Sequence, residues 1–140
     1  MSHRVTFIIQ DQPSGLTRIA FLCQLIEKWY RARQPSCFCL TPDTDYSEQL
    51  DTQLWEYNPE SFIPHTIGKV STDTNQIFLS HQLTDSQGAK TLFNCTTTAL
   101  TQFLPDCEHI EFGISADKDR LRGLYKAYQQ QKLELSFIRI

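Results

Sequence analysis

The sequence has little glycine and none of the patterns by which glycine-rich loops hold phosphate. Five glycines are spread through 140 residues. Neither GxxxxGK[ST], whose backbone amides wrap phosphates, nor GxGxxG, which lets a backbone approach a pyrophosphate, occurs among them. The first strand–helix turn, "QDQPSGLT", carries Gly15 alone and no lysine, so a capped helix start is expected there. GxSxG and HExxH are absent too, and His3, His65, His81 and His109 are scattered, which leaves no hydrolytic constellation. His65 is expected to be a hydrogen-bonded structural histidine. The five cysteines (23, 37, 39, 95 and 107) are odd in number and include no CxxC, a pattern of reduced thiols and not of a disulfide framework. Cys37 and Cys39 would share one face of a strand, but no second pair at ligand spacing completes a metal site. Core packing is their expected role. No apolar run approaches the roughly 20 residues of a membrane span. The opening "MSHRVTFIIQDQ" turns polar too early for a signal peptide, so a cytoplasmic protein is expected. A net charge of −3 argues against broad, charge-driven nucleic-acid binding and leaves room only for a local basic patch.

What is present is ordinary in bulk and ordered in sequence. A chain of this length, 40% hydrophobic and 21% charged, is expected to form one domain over 1–140. "RVTFIIQ" (4–10) reads as a strand. "LTRIAFLCQLIEKWYRAR" places Leu16, Ile19, Cys23, Ile26 and Tyr30 at helical spacing, with basic residues in the last turn. "CFCLTP" (37–42) reads as a second strand, and "DYSEQLDTQLWEY" (45–57) as a helix that Asn58-Pro59 ends. Further strands are expected at 75–83, 90–96, 109–115 and 132–140, a short helix at 98–104, and a helix from Ala116 to Gln131. Strand and helix alternate at these lengths in α/β proteins. The expected fold is therefore a mostly parallel central sheet with helices on both faces, like a nucleotide-binding domain without its phosphate loop.

Two segments depart from this ordinary pattern. "LWEYNPESFIPH", Leu54 to His65, holds Trp55, Tyr57, Phe62 and Ile63 in a stretch broken by two prolines. It lies in an acidic region: between Arg33 and Lys69 there are six carboxylates and no lysine or arginine. Large apolar side chains in such a segment either fold back on the core or await a cover. From Asp117 onward the charge reverses, with six basic residues against three acidic ones. At about 100° per residue, Lys118, Arg122, Tyr125, Lys126 and Gln129 fall within roughly one third of the helix circumference, while Leu121, Leu124, Ala127 and Tyr128 fall on the other side. Cations around an aromatic ring suit a peptide with an acidic run, an aromatic last residue and a free carboxylate. A solvated basic face is the plainer alternative.

Both segments resemble one family. "LDTQLWEYNPESFIPH" is similar to the part of the chi subunit of bacterial DNA polymerase III where a helix ends in tryptophan before a Glu-Ser-Phe-hydrophobic-Pro-His run. "RLRGLYKAYQ" is similar to the same family's last helix, and the opening strand and helix also resemble it. The likeness runs in order along nearly the whole chain and is loosest over 68–107. It implies a non-catalytic accessory subunit of the clamp-loader complex, without cofactor or metal, that meets DNA only indirectly. It implies a heterodimer with the psi subunit, through Trp55, Phe62, Ile63 and Pro64, and a helicase-like alternative partner at that surface. It also implies binding of the C-terminal tail of single-stranded DNA-binding protein, an acidic segment ending in Asp-hydrophobic-Pro-Phe. Lys118, Arg122, Tyr125 and Lys126 stand at the matching positions, with Gln129 where some relatives carry a further arginine. The competing reading is a small nucleotide- or phosphate-handling α/β enzyme, which fold analogy alone suggests.

Overall fold

In the computed structural model, residues 3–11, 15–32, 36–57, 63–70 and 77–140 are described. Strand β1 spans Arg4–Gln10 and helix α1 spans Arg18–Arg31. Thr17 caps α1, accepting a hydrogen bond from Ala20 N at 3.1 Å, and Lys28 and Arg31 lie in its last turn, where cations suit the helix dipole. Strand β2 (Cys37–Leu40) leads to α2 (Thr44–Tyr57), whose start is held by Asp43 Oδ1 accepting from Tyr46 N at 2.8 Å. Strands β3 (His65–Ile67), β4 (Ile77–Ser80), β5 (Thr91–Asn94) and β6 (Glu108–Ile114) follow, then α3 (Lys118–Gln130) and β7 (Glu134–Arg139).

The strands form one sheet in the order β3-β4-β2-β5-β6-β1-β7, and every pairing is parallel. This is the α/β fold expected from the alternation of elements. The inner strands β2, β4 and β5 are buried along their whole length, as strands covered on both faces must be. One face packs on α1 and α2 through Ile8, Leu22, Ile26, Leu50, Leu54, Phe93 and Phe112. The other packs on α3 and the 83–104 segment through Phe7, Phe38, Leu92, Leu121, Leu124 and Tyr128. Cys37 and Cys39 lie in the first layer, in agreement with their expected packing role, and Cys23 and Cys95 lie there with them. Burial pushes the Cys23 thiol up to about 12 and also raises those of Cys39 and Cys95 well above the ordinary thiol value, so these three stay protonated and inert.

One local expectation needs correction. Residues 98–104 form no helix. Their backbone donors turn to side chains instead: Leu100 N donates to Tyr128 Oη at 3.0 Å, and Leu104 N to His109 Nε2 at 3.2 Å. Leu100 and Leu104 are thereby buried in an irregular path beneath α3. A 3-10 turn over Leu83–Ser86 follows β4 and is tied to it by Ser80 Oγ donating to Asp85 at 2.6 Å. The short strand β3 has no counterpart among the expected elements, because its three residues are half-buried or exposed and give no hydrophobic period.

Candidate partner-binding sites

The basic helix face is held in place by its opposite side. Gly113, in β6, approaches α3 so closely that an added Cβ would stand 2.7 Å from Leu121 Cδ1 and 3.2 Å from Asp117 Cβ. Asp117, at the turn into α3, accepts from Arg18 Nη2 at 2.8 Å, from Arg18 Nε at 3.3 Å and from Ile114 N at 3.0 Å. Burial opposes ionisation of this carboxyl. The bonds from Arg18 and Ile114, with the charges of Arg18 and Arg120, outweigh it and hold the pKa below the usual value. At the far end of α3, Tyr128 is fully buried and donates its hydroxyl to Glu111 Oε2 at 2.5 Å. Asn94 Nδ2 donates to the same oxygen at 2.7 Å. Burial drives the Glu111 pKa up to about 7, against the lowering effect of those two bonds and of Arg120. Helix α3 therefore cannot roll, and the rest of its circumference is directed outward.

That outward face forms one wall of an open cavity of about 430 Å³. Lys118, Leu121, Arg122, Tyr125 and Lys126 come from α3, Phe7, Ile9 and Asp11 from β1 and the residue after it, and Phe137 and Arg139 from β7. Four of the five singled-out residues meet here. Gln129 is exposed on the same helix and does not line the cavity. Tyr125 is half-buried, its ring edge-on to Phe7 at 6.3 Å and tilted against Phe137 at 5.4 Å. Phe7 and Phe137 stack at 5.3 Å. Tyr125 and Phe137, backed by the fully buried Phe7, make an apolar floor with cations around it, a shape that takes an aromatic group attached to negative charge. Phe137 and Arg139 were not among the singled-out residues. Alternation along β7 places them on one face, but only the pairing of β7 with β1, which sets Phe7 beside Phe137 and Ile9 beside Arg139, brings that face to α3.

The aromatic segment lies at the other edge of the sheet. Phe62 is outside the described residues. Ile63 is 4% exposed and belongs to the core under α1 and α2, which corrects the expectation that it is a surface anchor: it fastens the segment to its own chain. Pro64 is half-buried. Trp55 is 52% exposed and its ring lies 4.7 Å from that of His65. The His65 side chain is fully buried, with Nε2 3.0 Å from Asp51 Oδ1 and Nδ1 2.8 Å from the Ile63 carbonyl, the structural role expected of it. Tyr57 and Ile67 are exposed nearby in sequence. The exposed aromatics and the cationic cavity thus sit at β3 and β7, the two edges of a seven-stranded sheet. At about 4.8 Å per strand spacing these edges are roughly 29 Å apart.

Among the described residues, no helix is long and apolar enough to cross a membrane, and no cluster of three or more His, Cys, Asp or Glu side chains is placed to hold a metal ion. The molecule is an open, all-parallel α/β domain whose most distinctive surfaces are a cationic, aromatic-floored cavity and an exposed aromatic patch. Residues 2–136 match the family described as DNA polymerase III chi subunit, HolC, and the chain belongs to that family. It is accordingly an accessory subunit of a replicative DNA polymerase complex. No curated protein matches the chain.

Proposed function

We propose that this subunit is a bridge without an active site of its own, holding the clamp loader through the psi subunit at one sheet edge and the acidic tail of single-stranded DNA-binding protein at the other. The observation that carries this reading is the convergence of Lys118, Arg122, Tyr125 and Lys126 with Phe7 and Phe137 around one cavity. A tail ending in phenylalanine has a ring for the apolar floor, and its aspartates and terminal carboxylate have cations within reach. Arg122 is well placed to receive a carboxylate: its side chain is 75% exposed, and Asp119, 3.7 Å away, is itself fully exposed. Trp55 offers the psi subunit an aromatic anchor. Separation of the two surfaces lets both partners be held at once, which a bridge requires.

Titration of a fluorescent tail peptide tests the reading. Hydrogen bonds to charged groups contribute about 1.5–3 kcal/mol, so Arg122→Ala is expected to weaken tail binding by roughly ten-fold or more. Added salt should weaken binding as well, because exposed charges are screened over about 8 Å at physiological ionic strength. A peptide lacking its last phenylalanine should bind poorly even with its aspartates intact. Equal, salt-insensitive affinities of the wild type and the Arg122 variant would overturn the assignment of the cavity.

A further inference from the structure

Among the described residues that line the cavity, one charge has the wrong sign. Asp11 lines it together with four cations, Lys118, Arg122, Lys126 and Arg139. Arg139 Nη1 donates to Asp11 Oδ2 at 2.8 Å. This pair differs from the buried one at the start of α3. There, Arg18 and Asp117 are 30% and 9% exposed, joined by two bonds, with a backbone amide on the same carboxylate. Arg139 is 74% exposed, Asp11 is 32% exposed, and one bond joins them, so among the described residues this bond engages one of the five guanidinium donors. An ion pair this exposed is weak and readily exchanged.

Its position makes exchange consequential. Arg139 is the last residue of β7 and lies beside Ile9 of β1, two residues beyond the Phe7–Phe137 pair. A carboxylate of a peptide whose aromatic ring sits on Tyr125 and Phe137 shares the cavity with the guanidinium that Asp11 now occupies. We infer that Asp11 and Arg139 form an ion-pair latch at the cavity, in which an acidic side chain of the bound peptide displaces Asp11 and takes Arg139. Asp11 is then an internal competitor, and Arg139 a specificity-determining residue. An acidic peptide exchanges one carboxylate for another at Arg139. A neutral peptide with the same aromatic end cannot make that exchange and must leave the latch closed, so the latch selects against it. The inference rests on the proposed tail-binding role of the cavity.

The test is a double-mutant cycle in the full chain with Asp11→Asn, Arg139→Gln and both together. Two synthetic probes are used: a peptide with several aspartates and a free carboxy-terminal phenylalanine, and its twin with the aspartates changed to asparagine. Asp11→Asn should tighten binding of the acidic peptide by roughly three-fold, and Arg139→Gln should weaken it by a similar factor, the range of an exposed ion pair. The double variant should match Arg139→Gln, because Asp11 acts through Arg139, and the asparagine twin should respond less to either change. An equal gain from Asp11→Asn in the Arg139→Gln background would overturn the latch, since Asp11 would then act by repulsion alone; so would an absence of effect at both positions. Arg122→Ala separates the two levels. If the acidic peptide binds with dependence on Arg122 but not on Asp11 or Arg139, the latch fails and the cavity assignment stands. If wild type does not bind the peptide at all, both fail.

Discussion

Replacing Glu111 with glutamine should change how stability depends on pH, and the size and sign of the change follow from its burial. The Glu111 pKa stands at about 7 in the folded chain against an ordinary 4.5. Between those values the folded state binds a proton that the unfolded state has released. The stabilising contribution of the protonated form is therefore fully present below about 4.5 and is lost as pH rises through 7, amounting to about 3 kcal/mol for a shift of roughly 2.5 units. His109, two residues away on β6, works in the opposite direction. Burial, with the nearby His3, lowers its pKa from 6.5 to about 4, against the Leu104 backbone bond, so its contribution is present above 6.5 and is lost as pH falls through 4. The two slopes largely cancel in the wild type between pH 4.5 and 6.5. Glu111→Gln removes one of them. Stability of the variant relative to wild type should rise by about 3 kcal/mol from pH 4.5 to 7.5, whatever the pH-independent cost of the buried amide. Urea unfolding of both proteins at half-unit pH intervals measures this difference directly. Titrations common to both, such as that of Asp117, cancel. A stability difference that stays constant across the range would show that Glu111 does not titrate there and would refute the reasoning.

Other expectations concern the surfaces and the packing beneath α3. Gly113→Ala should destabilise the chain by about 1–3 kcal/mol, because its methyl group would stand 2.7 Å from Leu121 in a packed layer; an unchanged denaturation midpoint would mean that α3 moves away freely. Tyr128→Phe leaves Leu100 N without its acceptor and removes one of the two donors to Glu111 Oε2, and a loss of about 1–3 kcal/mol is expected in thermal or chemical unfolding. Trp55→Ala should change the stability of the isolated chain by less than about 1 kcal/mol, since half the side chain is exposed, while weakening psi binding by about 2 kcal/mol or more. A large drop in melting temperature with psi binding unchanged would reverse that assignment.

The boundaries of β1 and the course of both flanking helices were legible because their signals are local. Thr17 and the apolar spacing of α1 mark one helix, and the two-sided burial of β2 appears as the unbroken run Cys37–Leu40. The basic face of α3 was legible for the same reason: residues three and four apart on a helix are neighbours in any fold. The 98–104 segment was misread because its hydrophobic spacing fits a helix, whereas its donors are taken by Tyr128 and His109, residues brought there only by the folded sheet. Ile63 was read with the exposed aromatics since sequence proximity says nothing of which side chains point inward. The alternation of elements, the cations of α3 and their aromatic neighbour follow from residue order alone. Tertiary structure decided that these cations border a cavity. Phe137 on its floor and Phe7 behind it are far apart in the chain and placed side by side by strand register, and the opposing charge of Asp11 is held there by Arg139.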